Sequence, residues 1–376
     1  MSRRSPLFSL SALTRAYQRN LKAFARVTKP VRAAKPVRAK AVAVSRARPK
    51  AAPVARTPRK PLPASGEWLA GIAPGPAGAR RFHLYVPPGL ALRAGEKLPL
   101  LVMLHGCGQT GRELAASSRM NRLAVRHRFL VLYPEQERLA NAHGCWNWFD
   151  RRSGKADAEA ATLLAAIELV ARRHPVDMAR VAVAGLSAGA SMAALLAARY
   201  PDRFCAVAMH SGVAPGTADS AATAMAAMHG RREAHLPDPP QALAAVGAAM
   251  APLPPLLILH GDADNVVSVR NAAATAVLWA ESLGARAGPV RTMQRGRRHA
   301  VRVTEYKARG RAQVTLREIV GLGHAWSGGA PGLNYSDPAG PDASALVWAF
   351  VARQFKKSLT KYAARPYWIS ARRYYF

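Results

Sequence analysis

Val181-Ala-Val-Ala-Gly185-Leu-Ser187-Ala-Gly189 is a short apolar run that ends in a serine held between two glycines, and Ala188 to Arg199 continues from it with a helical pattern rich in Ala, Leu and Met. Glycines on either side of the serine permit a tight strand-to-helix turn that exposes the hydroxyl, and the first amides of the following helix face a developing oxyanion. In a chain rich in Ala and Gly the same pentapeptide also arises as a small-residue packing turn, so the strand before it and the helix after it give it its weight. Working outward, short apolar runs occur at Phe82 to Val86, Leu98 to Leu104, Phe129 to Tyr133, Cys205 to His210, Leu256 to His260 and Val314 to Val320. Helical patterns separate several of them, as at Ala158 to Arg173 with Leu163, Leu164, Ile167 and Val170 on one face. Strands alternating with helices predict an α/β domain around a mostly parallel sheet.

A serine hydroxyl attacks only when a base takes its proton and a third group orients that base. In α/β-hydrolases the chain order is serine, acid, histidine, so both partners should lie downstream. Leu256-Leu-Ile-Leu-His260-Gly-Asp262-Ala-Asp264-Asn-Val266 is a buried strand that ends in an acidic turn. Asp264 is the expected acid, with Asp262 expected to bond turn amides. Glu318-Ile-Val-Gly321-Leu-Gly323-His324-Ala-Trp326 places a histidine on a glycine-rich loop after the last strand, and His324 is the expected base. His210, His229, His235, His260 and His299 stand in the wrong position or order for that role. Upstream, Leu104-His105-Gly106-Cys107-Gly108 follows a core strand, where the amides of Cys107 and Ala188 would hold an oxyanion. Such a two-step acyl transfer requires no metal and no organic cofactor.

Six segments occur together in one order: Leu104-His-Gly-Cys-Gly-Gln-Thr-Gly111, Tyr133-Pro-Glu-Gln136, Cys145-Trp-Asn-Trp-Phe149, Gly185-Leu-Ser-Ala-Gly189, His260-Gly-Asp-Ala-Asp264 and Gly323-His-Ala-Trp326. This combination resembles the poly(3-hydroxybutyrate) depolymerase family of esterases over residues 66 to 355. The resemblance implies an α/β-hydrolase fold and hydrolysis of polyhydroxyalkanoate esters or related short acyl or aryl esters. The family is also similar to feruloyl and acetyl xylan esterases, which leaves a carbohydrate ester as the alternative substrate. His105, Trp146, Trp148 and Trp326 are the expected substrate contacts, with core packing as the other reading of the two loop tryptophans. Cys107 and Cys145 sit on loops expected to approach one another. They would pair in an oxidising compartment and are expected to be two small buried thiols in a cytoplasmic chain.

Of the 376 residues, 55 are Lys or Arg and 21 are Asp or Glu, for a formal charge of +34. Residues 1 to 66 hold 17 of the positive charges and no acid, and include Lys-Pro-Val-Arg-Ala at 29–33 and again at 35–39. Such a tract buries too little apolar surface to fold alone, so residues 1–65 are expected to form a disordered arm. A short amphipathic helix is conceivable over 7–27, where Leu10, Leu13, Tyr17, Leu21 and Phe24 recur at helical spacing. The catalytic domain is expected at 66–357 with a small cap at 215–250, followed by a basic aromatic tail at 358–376. An excess of this sign favours polyanions or a charged granule surface as partners, besides the ester substrate. Three cysteines without CxxC spacing argue against zinc, and no run of apolar residues is long enough for a membrane span. Without a clear signal peptide the expected location is cytoplasmic or granule-associated, with export as the alternative. A non-catalytic polyanion-binding protein on a hydrolase scaffold is the reading from another class.

Overall fold

The computed structural model describes residues 66–236 and 251–363. The expected arm, residues 237–250 of the expected cap and the tail from 364 onward lie outside the described residues. The 11-stranded sheet contains β1 (Glu67–Ala73), β2 (Arg80–Val86), β3 (Leu98–Leu104), β4 (Leu130–Pro134), β5 (Val176–Leu186), β6 (Ala206–His210), β7 (Leu256–Gly261), β8 (Arg286–Ala287), β9 (Arg291–Met293), β10 (Val301–Ala308) and β11 (Arg311–Ile319). Their order is β1-β2-β4-β3-β5-β6-β7-β11-β10-β8, with β9 pairing β10 off this path. The run from β4 to β11 is parallel throughout, whereas β1, β2, β8, β9 and β10 are antiparallel additions at its two ends. A separate two-stranded ladder joins β12 (Trp326–Ser327) to β13 (Ser336–Asp337).

Seven α-helices are described: α1 (Gly111–Ser118), α2 (Met120–His127), α3 (Lys155–Arg173), α4 (Ala188–Arg199), α5 (Ala221–Met228), α6 (Arg270–Ser282) and α7 (Ala343–Ala363). Successive side chains on the central strands point to opposite faces, so each strand feeds two cores. Leu100 and Val102 of β3, Val181 and Val183 of β5, and Leu256 and Ile258 of β7 join the core under α3, α4 and α6. Leu101 and Met103, Ala182 and Ala184, and Leu257 and Leu259 join the core under α2 and α7. Burial on both faces is why these strands read as continuous apolar runs instead of alternating ones. The tail expected from residue 358 begins inside α7, which continues to Ala363.

Helix α4 is buried from Ala188 to Ala198. Its small side chains let the backbone approach the sheet closely. A Cβ on Gly189 would overlap the carbonyl oxygens of Leu104 and His105, and a Cβ on Gly185 would overlap the Gly189 backbone. These glycines bring the first turn of the helix against the carboxyl end of β3. Gly189→Ala should therefore lower stability by about 1–3 kcal/mol through overpacking, read as a reduced urea midpoint.

Candidate active site

Each parallel strand delivers one element of the site at its carboxyl end, the rim where open α/β sheets place ligands. Ser187 follows β5 directly and occupies a left-handed backbone conformation, φ +56° and ψ −122°. That conformation is strained for a residue with a Cβ, and the strain is held by the hydrogen bond from its amide to the His210 carbonyl at 2.8 Å. Its residue surface is 9% exposed.

Asp264 follows β7 and His324 follows β11. His324 Nδ1 lies 2.7 Å from Asp264 Oδ2. A carboxylate can only accept, so Nδ1 carries the proton and Nε2 is the basic nitrogen. The other carboxylate oxygen, Oδ1, accepts from the amides of Val266 and Val267, each at 2.9 Å. Burial alone would push the Asp264 carboxyl up, but hydrogen bonds from His260 and His324 outweigh it and hold it well below the usual carboxylate range. Asp262 does a different job: its carboxylate accepts from the Gly321 amide at 2.7 Å and pairs with Arg302 at 3.1 Å, fixing the start of the histidine loop.

The loop after β3 stands beside the serine. A Cβ on Gly106 would be 3.6 Å from the Ser187 Cβ. Within this loop the Gly106 amide donates to Gln109 Oε1 at 3.0 Å and the Gly108 amide to the His143 carbonyl at 3.0 Å. The Cys107 amide meets no acceptor among the described residues. Ala188 is the first residue of α4, where an amide has no acceptor within the helix. Cys107 and Cys145 form a disulfide with Cα atoms 4.2 Å apart, in place of the two thiols expected for a cytoplasmic chain. The two loops come close enough for the bond because Trp146, next to Cys145, donates from Nε1 to the His105 carbonyl at 3.1 Å.

His105, Trp146, Trp148 and Trp326, expected to touch substrate, are 1%, 0%, 4% and 1% exposed. His105 accepts the Gln136 amide at Nε2 and donates from Nδ1 to the Gly106 carbonyl at 2.9 Å. Trp326 donates to Ser344 Oγ at 3.1 Å. Burial of all four, and the hydrogen bonds of His105, Trp146 and Trp326, suit them to holding these loops. Two histidines set aside as competing bases also prove to be structural parts of it. His210, at the end of β6, accepts the Ser327 amide at Nε2 and so joins the serine turn to the His324 loop. Buried His260 lies 3.4 Å from Asp264 Oδ2 and donates to the Val267 carbonyl. Sequence offers one signal for both: a polar residue closing an otherwise apolar buried strand.

Burial pushes His210 down to about 3 and His105 down to about 4. Both folded-state values lie below that of the unfolded chain, so no penalty arises above about pH 6.5, and stability declines as pH falls from there toward 4. The slope is roughly 1 kcal/mol per pH unit for each histidine. Urea midpoints measured at pH 7 and pH 5 should drop accordingly. His210→Gln, which keeps an acceptor for Ser327, should show the smaller drop.

The family model described as Esterase PHB depolymerase matches residues 80–287, a span that includes Ser187 and Asp264 and ends before His324. Poly(3-hydroxyalkanoate) depolymerase C of Paucimonas lemoignei is 32% identical over 244 residues, covering 64% of this chain and 57% of that protein. Feruloyl esterase B of Neurospora crassa is 30% identical over 223 residues, covering 54% and 70% of the two chains. The chain thus spans between about half and about two thirds of the curated relatives it matches. Among solved structures, the acetyl xylan esterase from Aspergillus awamori superposes with a TM-score of 0.50 at 20% identity, over 69% of this chain and 94% of that one, a likeness of fold. With more than half of its length matched, this α/β-hydrolase chain belongs to the Esterase PHB depolymerase family.

Proposed function

We propose that the chain is a serine esterase that hydrolyses polyhydroxyalkanoate esters through an acyl-enzyme on Ser187. One observation carries the reading: the buried Asp264 carboxylate fixes the tautomer of His324 at the same sheet rim that holds Ser187 in a strained turn. In the mechanism, His324 Nε2 takes the Ser187 Oγ proton as the oxygen adds to the ester carbonyl. Asp264 steadies the imidazolium, and the amides of Cys107 and Ala188 hold the oxyanion. His324 then returns the proton to the leaving alcohol, and a water activated the same way releases the acid and regenerates the serine. The depolymerase relative supports the polyester over a carbohydrate ester, and the feruloyl esterase relative keeps the second substrate class in view.

Ser187→Ala should reduce turnover of a p-nitrophenyl short-chain ester by about 10⁴-fold or more with an unchanged melting temperature. Asp264→Asn should cost about 10²- to 10⁴-fold, because an amide can present the wrong hydrogen-bonding partner to Nδ1. In parallel assays 3-hydroxybutyrate oligomers should turn over faster than methyl ferulate or acetylated xylan. The opposite ranking would move the assignment to carbohydrate esters.

No helix among the described residues is long and apolar enough to cross a membrane. The Cys107–Cys145 disulfide supports an oxidising compartment over the cytoplasm. We also propose that residues 1–65 tether the enzyme to a polyanionic surface, on the strength of their unbroken basic charge. A chain starting at Ser65 should keep its turnover on soluble esters and elute from heparin at lower salt than the full chain. Equal elution would place the binding charge on the folded domain.

A further inference from the structure

The loop that carries the Cys107 amide is tied to a buried carboxylate on a helix that provides none of the reacting groups. Glu159 lies in the first half of α3 and is 1% exposed. Its Oε1 accepts from Gln136 Nε2 at 2.7 Å, from Asn147 Nδ2 at 2.6 Å and, more weakly, from Arg80 at 3.4 Å. Its Oε2 accepts from the Asn147 amide at 2.8 Å. Two separate segments, around 136 and around 147, are thereby held on one side chain.

Both segments go on to grip the loop after β3. From the first, the Gln136 amide donates to His105 Nε2 at 3.0 Å, which forces the ring proton onto Nδ1 and directs it to the Gly106 carbonyl. Gln136 Nε2 also reaches the Cys145 carbonyl at 2.9 Å. From the second, Trp146 donates to the His105 carbonyl, and Cys145 is bonded to Cys107 itself. A peptide unit fixed at its carbonyl has its neighbouring amide fixed too, because the unit is planar. The orientation of the Gly106–Cys107 peptide, and so the direction of the Cys107 N–H, depends on these ties.

We propose that Glu159 is a positioning residue for the oxyanion amide, acting through Gln136, Asn147 and His105. This rests on the serine esterase reading for its consequence in catalysis. A buried carboxylate suits the task because it accepts at two oxygens with several lone pairs and cannot donate, so all its partners must present N–H groups in one arrangement. Replacing one oxygen by an amide nitrogen sets donor against donor and frees one of the two segments.

Glu159→Gln in the full-length chain is the test, with Asn147→Ala as a milder variant that removes the side-chain bond to Glu159, and with it the acceptor for Asn141, but keeps the backbone one. For Glu159→Gln on a p-nitrophenyl short-chain ester, kcat should fall about 10- to 100-fold, as expected for a small misplacement of a catalytic group, with KM within about twofold. The inhibition constant of a trifluoromethyl ketone, which forms a tetrahedral oxyanion on the serine, should weaken in parallel. Binding of the product acid should stay unchanged. Hydrogen exchange followed by mass spectrometry should show faster exchange over residues 105–110 and unaltered exchange in β5 and β7. Asn147→Ala should shift each of these in the same direction by less. A lower melting temperature with unchanged kcat, ketone affinity and loop exchange would overturn the proposal. An inactive wild-type chain whose Glu159→Gln variant still loosens residues 105–110 would sink the esterase reading alone and leave the positioning role standing.

Discussion

The structure depends on the close approach of two backbones, the first turn of α4 and the carboxyl end of β3. Glycine at 189 removes the Cβ that would meet the Leu104 and His105 carbonyls, and glycine at 185 removes the one that would meet the helix itself. With helix and strand in contact, the Ser187 side chain and the Gly106–Cys107 peptide become neighbours although 81 positions separate Gly106 from Ser187 in sequence. Other features of the rim lie around that pair: the left-handed serine, its amide bonded to β6, and the disulfide that ties Cys107 of this loop to Cys145.

Around this contact the site is built from polar groups whose charge is set by burial and by hydrogen bonds together. His105 and His210 are neutral because full burial disfavours the cation, and each has a ring nitrogen committed to a backbone amide. Asp264 is charged because two histidines and two amides surround it. Three of the chain's 21 acids serve hydrogen bonds around this rim: Asp262 takes the Gly321 amide, Asp264 takes His324, and buried Glu159 takes the Asn147 amide.

The central strands and the helix after Ser187 were legible in the sequence because burial, on both faces for the strands, produces continuous apolar runs with sharp ends. Ala188 to Arg199 is helical over the span its pattern predicts, and the runs at 98–104 and 256–260 lie within β3 and β7. The edges were not legible. β1 and β10 mix Glu, Arg, Thr and Lys into their strands because one face meets solvent, and two-residue β8 carries no pattern at all. Ser187, Asp264 and His324 were candidates in the sequence because each follows a recognisable strand, and the structure brings Asp264 and His324 within hydrogen-bond distance. Glu159, Gln136 and Asn147 could not, since a buried network among distant loops leaves no periodic mark. The pairing of Cys107 with Cys145 was open for the same reason: it depends on loop closure, which spacing does not record.

Among the described residues no further strand pairs with either margin of the sheet, and the two margins differ. At the far margin, β8 and β9 are two and three residues long, fully exposed, and bear Arg286 and Arg291. Short strands with fixed positive charge offer another sheet little backbone to pair with and repel a second copy of themselves. At the near margin, β1 runs for seven residues and exposes Ile72 at 60%. Among the described residues nothing pairs with its outer edge, whose length and exposed Ile72 are features that favour edge-to-edge pairing. Among the described residues the guard against edge pairing is therefore lopsided: one border protects itself by brevity and charge, and the other by neither.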